Sequence, residues 1–123
     1  MRPRVRFLGW VAPDALPTLV AESDVLLHTS RHEGEGLAVQ EALCVGRPAV
    51  STDVGVAAEL LDGDCGEVVS EATPEALARA VGRVVARLPG AQQAAAQVGA
   101  RVRRERGLDV VVERLLGLYR VQG

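Results

Sequence analysis

Arg31-His32-Glu33-Gly34-Glu35-Gly36-Leu37-Ala38-Val39-Gln40-Glu41-Ala42-Leu43 is the stretch whose reading decides the fold. Two glutamates, Glu33 and Glu41, stand eight positions apart, with Gly34 and Gly36 between them. Glycine lets a backbone approach an anion closely, and helix N-termini favour phosphate. From Leu37 to Val45 the pattern is helical, and Gly46 closes it before Pro48. One carboxylate ahead of a helix entry and one inside the helix bracket a phosphate-bearing ligand that also carries hydroxyl groups. That arrangement suggests a nucleotide-sugar site.

Outward from this stretch, short apolar runs alternate with helical ones. Val25 to His28 precedes it, and Val5 to Leu8 lies further upstream, separated by a helical segment from Pro13-Asp14 to Ser23. Downstream come a strand over Ala49–Thr52, a short helix from Gly55 to Leu61 ended by Asp62-Gly63, and a strand over Glu67–Val69. Such alternation argues for βαβ units and a parallel sheet. The expected fold is α/β: a Rossmann-like parallel sheet of about four strands flanked by helices, with a helical C-terminal third. In that third, Thr73-Pro74 supplies an N-cap with proline at the first helical position. Leu77, Val81, Val84, Val85 and Leu88 then repeat at helical spacing, while Arg79, Arg83 and Arg87 line another face. Pro89-Gly90 is expected to break this helix, with two more following over 91–105 and 108–120. There is no internal repeat and no separating linker, so residues 1–123 read as one domain.

Composition narrows the function. The chain has 123 residues and a net charge of −2, so no global field draws it to nucleic acid or anionic lipid. No apolar run approaches the roughly 20 residues of a membrane span, and no signal-peptide core follows the basic Met1-Arg2-Pro3-Arg4 start. All 14 basic residues are arginine. Cys44 and Cys65 are too few for a disulfide framework and lack zinc-ligand spacing, so a reduced, cytoplasmic setting is the default and no metal is expected. Peripheral membrane contact through another chain stays open.

On a wheel of about 100° per residue, Glu41 falls in the same arc as Leu37, Ala38, Ala42, Cys44 and Val45. A carboxylate on an apolar side needs a partner or a ligand. A salt bridge to an arginine such as Arg47, a helix tilted so that Glu41 reaches a groove edge, or two ribose hydroxyls each satisfy it. Glu33 and Glu35 at the helix entry complement the helix dipole. The order strand, loop, helix adds weight, because ligands of open parallel sheets bind beyond the carboxyl ends of strands.

With these residues in place, the chain resembles the C-terminal, donor-binding half of retaining glycosyltransferases of the GT-B fold, family four. Glu33 and Glu41 match the family's paired-glutamate motif inside Glu33-Gly34-Glu35-Gly36-Leu37 and Glu41-Ala42-Leu43. Val5-Arg6-Phe7-Leu8-Gly9, Ser23-Asp24-Val25-Leu26-Leu27 with Ser30, and Gly46-Arg47-Pro48-Ala49-Val50-Ser51-Thr52 surround it. Gly55 with Glu59, Asp62-Gly63 with Gly66, and Tyr119 continue the pattern in order.

The resemblance implies that Glu33 is catalytic and contacts the donor sugar. Backbone N–H groups around Gly34, Glu35, Gly36 and Leu37 would hold the diphosphate, and Glu41 the ribose. Sugar would pass from a nucleotide-sugar to a sugar, lipid or small-molecule acceptor with retention, without metal or other cofactor. The resemblance also implies an incomplete GT-B C-terminal domain, truncated at its N-terminus and lacking the acceptor half. The isolated chain is accordingly expected to be inactive in transfer. The Val5 strand is expected to pair directly with the Val25 strand through a right-handed crossover. Glu35 departs from the family, which has an apolar residue there, and a carboxylate beside a diphosphate repels it unless it turns away. Thr29 replaces a common proline, and Cys65 reads as packing.

His28 and His32 read as solvated loop residues, Arg31 and Arg47 as surface or ion-pair residues, and the run Arg101 to Arg106 as a solvated helix face. An alternative function is a non-catalytic interaction module. Its exposed sheet edge would be completed by a partner chain or by self-association. A third is an unrelated small α/β phosphate-ester binder.

Overall fold

The computed structural model describes residues 4–61 and 63–122. Met1 to Pro3, and Asp62 of the Asp62-Gly63 pair, lie outside the described residues. Three parallel strands form the sheet in the order β1 (Leu26–His28), β2 (Ala49–Thr52), β3 (Gly66–Val69). Leu27 aligns with Val50, and Val50 with Glu67. All four residues of β2 are buried, as a central strand covered on both faces requires.

Parallel neighbours need crossovers. Helix α1 (Leu16–Ala21) precedes β1, α2 (Leu37–Cys44) joins β1 to β2, and α3 (Ala57–Leu60) joins β2 to β3. Helices α4 (Pro74–Ala86), α5 (Leu88–Arg106) and α6 (Leu108–Gln122) follow. Adjacent residues of β2 point to opposite faces and define two cores. Ala49 packs with Val39 and Leu43 of α2, Ala57 and Leu60 of α3, and Ala95 and Val102 of α5. Val50 packs with Leu77, Ala80 and Val84 of α4 and with Ala91. The sheet is therefore a middle layer between α2, α3 and α5 on one side and α4 on the other.

Helix α4 starts as the sequence predicts: the Thr73 hydroxyl accepts from the Ala76 N–H at 3.2 Å, with Pro74 first in the helix. Its arginine face grips β3, since the Arg83 guanidinium meets Glu67 with Nε at 3.0 Å and Nη2 at 2.7 Å. The expected break at Pro89-Gly90 falls earlier, at Arg87, and Pro89 sits in the first turn of α5. There its missing N–H costs nothing, because first-turn donors have no intrahelical partner.

Among the described residues the sheet has three strands, not about four. Val5 to Leu8 forms no strand, and the expected pairing with the Val25 strand is absent: among the described residues β1 pairs with β2 alone. Phe7 is 94% exposed and Val5 66%. The segment finds neither a ladder partner nor an apolar face, and strand propensity without packing does not hold an extended chain in a sheet. β1 is thus an edge strand. Among the described residues, no helix is long and apolar enough to cross a membrane.

Candidate functional site

Two loops meet at the carboxyl ends of β1 and β2. The first runs from Thr29 to Gly36 and enters α2; the second, Asp53 to Val56, enters α3. Gly36 caps α2 at φ 79°, in the left-handed region where a side chain is strained. Gly55, at φ 55°, lies against the peptide between Glu35 and Gly36: a Cβ there would stand 2.7 Å from the Glu35 carbonyl carbon and oxygen. The Val56 N–H donates to that same oxygen at 3.1 Å, and the Thr52 hydroxyl donates to the Ser30 carbonyl. The β2 end therefore clamps the motif loop through its backbone.

Within the clamped loop, Glu33 Oε1 accepts from the Ser30 hydroxyl at 2.9 Å and meets His28 Nε2 at 3.3 Å. Both contacts converge on one oxygen, and among the described residues Oε2 has no hydrogen-bond partner. The backbone N–H groups of Gly34, Glu35, Gly36 and Leu37 also donate no hydrogen bond among the described residues. They lie at the positive end of the α2 dipole, so the loop presents free donors where an anion is favoured.

Glu41 is exposed, not buried among apolar side chains. Helix α2 buries Val39, Gln40, Ala42 and Leu43, while Leu37 and Glu41, one turn apart, face outward together. Among the described residues Glu41 forms no ion pair, so the pairing with Arg47 is not made; Arg47 Nε is itself buried without a partner. The groove-edge reading holds instead. Leu37, Gln40 and Glu41 line a cleft of about 320 Å³ whose other walls include Pro13, Leu16 and Val102. The cleft is mostly apolar, with Glu41 and Arg106 as its charged groups. On its wall, Gln40 is buried and its Nε2 lacks a partner among the described residues.

Glu35 turns toward the C-terminal end of α5, where Arg106 Nη1 stands 3.9 Å from its Oε1 and Arg106 Nη2 lies 2.8 Å from Glu59. Arg103 donates to the Cys44 carbonyl. The basic run on α5 is thus partly tied back to the body of the protein, while Arg101 and Arg104 are exposed. Burial raises the pKa of both thiols, and the Cys65 sulfur donates to the Leu60 carbonyl at 3.1 Å, consistent with packing. Among the described residues no three His, Cys, Asp or Glu side chains gather as metal ligands.

The structure brings Glu33 to Leu37 together at one loop and sets Glu41 on the adjoining cleft. Sequence reasoning missed His28 as a partner of Glu33 and Arg106 as a partner of Glu35. Strand alternation held a signal for the first: His28 shares the inward side of β1 with Leu26. The second had none, since the pair is distant in sequence.

The sequence pattern of the family described as Glycosyl transferases group 1 matches residues 1–87. Among curated proteins, lipopolysaccharide glucosyltransferase WaaG of Escherichia coli K12 is 39% identical over 54 residues, 43% of this chain and 14% of that protein. The O-antigen chain mannosyltransferase B of Escherichia coli is 38% identical over 64 residues, 52% of this chain and 16% of that protein. A 41.2 kDa protein of the cps region of Klebsiella pneumoniae is 37% identical over 70 residues, covering 56% of this chain and 20% of its own length. The matched stretch thus spans a fifth or less of each relative. Among solved structures, sucrose-phosphate synthase from Thermosynechococcus elongatus superposes with a TM-score of 0.87 at 25% identity, over 97% of this chain and 30% of that one.

Proposed function

The chain belongs to the group 1 glycosyl transferases, and from that premise we propose that it binds the nucleotide-sugar donor of a retaining transfer reaction. The observation that carries this reading is the Glu33 carboxylate, anchored through Oε1 with Oε2 open, beside four unpartnered backbone N–H groups at a helix entry. In the proposed complex Oε2 accepts from a hydroxyl of the sugar. The N–H groups of residues 34–37 hold the diphosphate and stabilise the charge that develops as it leaves. Glu41 accepts from both ribose hydroxyls, and the base enters the apolar cleft beside it; about 300 Å³ and upward is ordinary for a small-molecule site. No metal is required, because amide donors and the helix dipole neutralise the leaving group. On this reading the acceptor is held by residues outside this chain, as is the cover for the β1 edge.

Titration calorimetry with UDP-, GDP- and ADP-glucose tests the reading. At least one is expected to bind, and Glu41→Ala to weaken it about tenfold, the scale of hydrogen bonds to a charged group. Silence from all three at millimolar concentration sinks donor binding. Indifference to Glu41→Ala reduces the site to a general phosphate-ester binder.

A further inference from the structure

We propose that His28 is a positioning residue for Glu33: held with a proton on Nε2, it fixes which carboxylate oxygen is presented to the donor sugar. The inference rests on the reading of Glu33 as the sugar-facing carboxylate.

The His28 side chain is only 10% exposed, so both ring nitrogens need partners inside the protein. Nε2 faces Glu33 Oε1 at 3.3 Å, and Nδ1 faces the Ser51 hydroxyl oxygen at 3.1 Å. An ionised carboxylate only accepts, so Nε2 must carry hydrogen. The Ser51 hydroxyl, which also stands 2.8 Å from the Thr52 carbonyl, has one proton to give. With a neutral ring, Ser51 donates to Nδ1. With a doubly protonated ring, Ser51 accepts from Nδ1–H and turns its own proton to the Thr52 carbonyl. Both arrangements keep Nε2–H on Glu33, and only a hydroxyl rotates between them. The remaining neutral form, with hydrogen on Nδ1 alone, sets a lone pair against the carboxylate and is disfavoured.

Glu33 is thereby held in either charge state of the ring. Ser30 by itself is a short rotor on an exposed loop and leaves the carboxylate free to swing about its contact. The buried imidazole, anchored to the β2 end through Ser51, supplies the second fixed point. With Oε1 taken by two donors, Oε2 is the oxygen that meets the sugar.

The proposal separates sugar from nucleotide, and so does its test. His28→Phe keeps the ring volume and removes both polar contacts; His28→Gln restores an N–H donor toward Glu33. Calorimetry compares each nucleoside diphosphate with the matching nucleotide-glucose. In His28→Phe the affinity gained from the glucose is expected to fall about tenfold, with binding of the diphosphate alone unchanged. His28→Gln is expected to recover most of that loss. Equal loss for both ligands marks a merely structural role and overturns the proposal, as does no loss at all. A second measurement needs neither ligand nor variant: ¹⁵N NMR of the imidazole in the unliganded chain. A pyrrole-type Nε2 is expected, and a neutral ring with its proton on Nδ1 overturns the contact itself. Failure of every nucleotide to bind, with the Nε2–H form intact, instead overturns the donor reading and with it the positioning role.

Discussion

The loop that carries Glu33 and the helix face that carries Glu41 are built in opposite ways. The loop is irregular yet tied at several points: His28 and Ser30 hold the carboxylate, Thr52 holds the Ser30 carbonyl, Val56 holds the Glu35 carbonyl, and Gly55 packs on the peptide behind it. The face of α2 is regular, yet its outward side chains are free; Leu37 is 61% exposed, and Glu41 forms no ion pair among the described residues. Regular secondary structure positions a backbone without fixing an exposed side chain. An irregular loop is rigid when neighbouring strand ends satisfy its backbone. On the proposed function, the part of the ligand where chemistry occurs meets the preorganised region, as catalysis demands. The nucleoside meets a shaped cleft and one adaptable carboxylate.

The two regions share helix α2, so the largest effect comes from displacing it. α5 crosses α2 at Gly99, where a Cβ would stand 1.9 Å from the Leu43 carbonyl oxygen. Backbone opposes backbone there, and no side chain can swing aside. Gly99→Ala is expected to cost about 3 kcal/mol, the upper part of the overpacking range, and to lower the midpoint of a thermal melt by about 10 °C. A shift of less than about 2 °C means that the helices slide apart at little cost, and that α2 is not the rigid base of both regions.

Gly55→Ala separates the regions. It puts a non-glycine residue at φ 55° and a methyl group against the Glu35–Gly36 peptide, at a cost of about 1–2 kcal/mol confined to the loop. Nucleoside diphosphate affinity is expected to fall about tenfold, the equivalent of about 1.4 kcal/mol, while affinity for the matching nucleoside stays unchanged. Parallel losses for both show that loop and cleft are one mechanical unit and erase the distinction.

How much of this was legible in the sequence follows the same division. The course of the backbone was readable where local chemistry dictates it. Gly34 and Gly36 announced the helix entry, Thr73-Pro74 announced α4, and the strand expected over Ala49–Thr52 is β2. Val5-Arg6-Phe7-Leu8 carries the same kind of signal as β1 but pairs with no strand among the described residues, so propensity did not become structure. The wheel placed Glu41 correctly beside Leu37, but counted Leu37 as core when it stands on the rim of a cleft. Side-chain partnerships were illegible because they join distant segments: Ser51 to His28 across two strands, and Arg106 at the end of α5 to the motif loop.

That last contact links the two regions and gives Glu35 a physical account. Its carboxylate lies in the loop proposed to hold a diphosphate, where uncompensated negative charge weakens binding. Arg106 stands 3.9 Å away, is fixed by Glu59 at 2.8 Å, and also lines the cleft beside Glu41. A pair this exposed contributes only about 0–1 kcal/mol to stability, so Arg106→Gln is expected to move the melt by no more than about 3 °C. Its effect belongs in binding, because the substitution removes a positive charge and releases a negative one near the anion. Diphosphate affinity is expected to drop about threefold at low salt and to recover as ionic strength shortens the screening length below about 10 Å. Adding Glu35→Gln to the Arg106→Gln chain is expected to restore part of the low-salt loss, because Glu35 is the charge that Arg106 compensates. If the double variant binds no better than Arg106→Gln alone, Arg106 acts on the ligand directly from the cleft wall. Glu35 is then a surface carboxylate that the clamped loop merely carries.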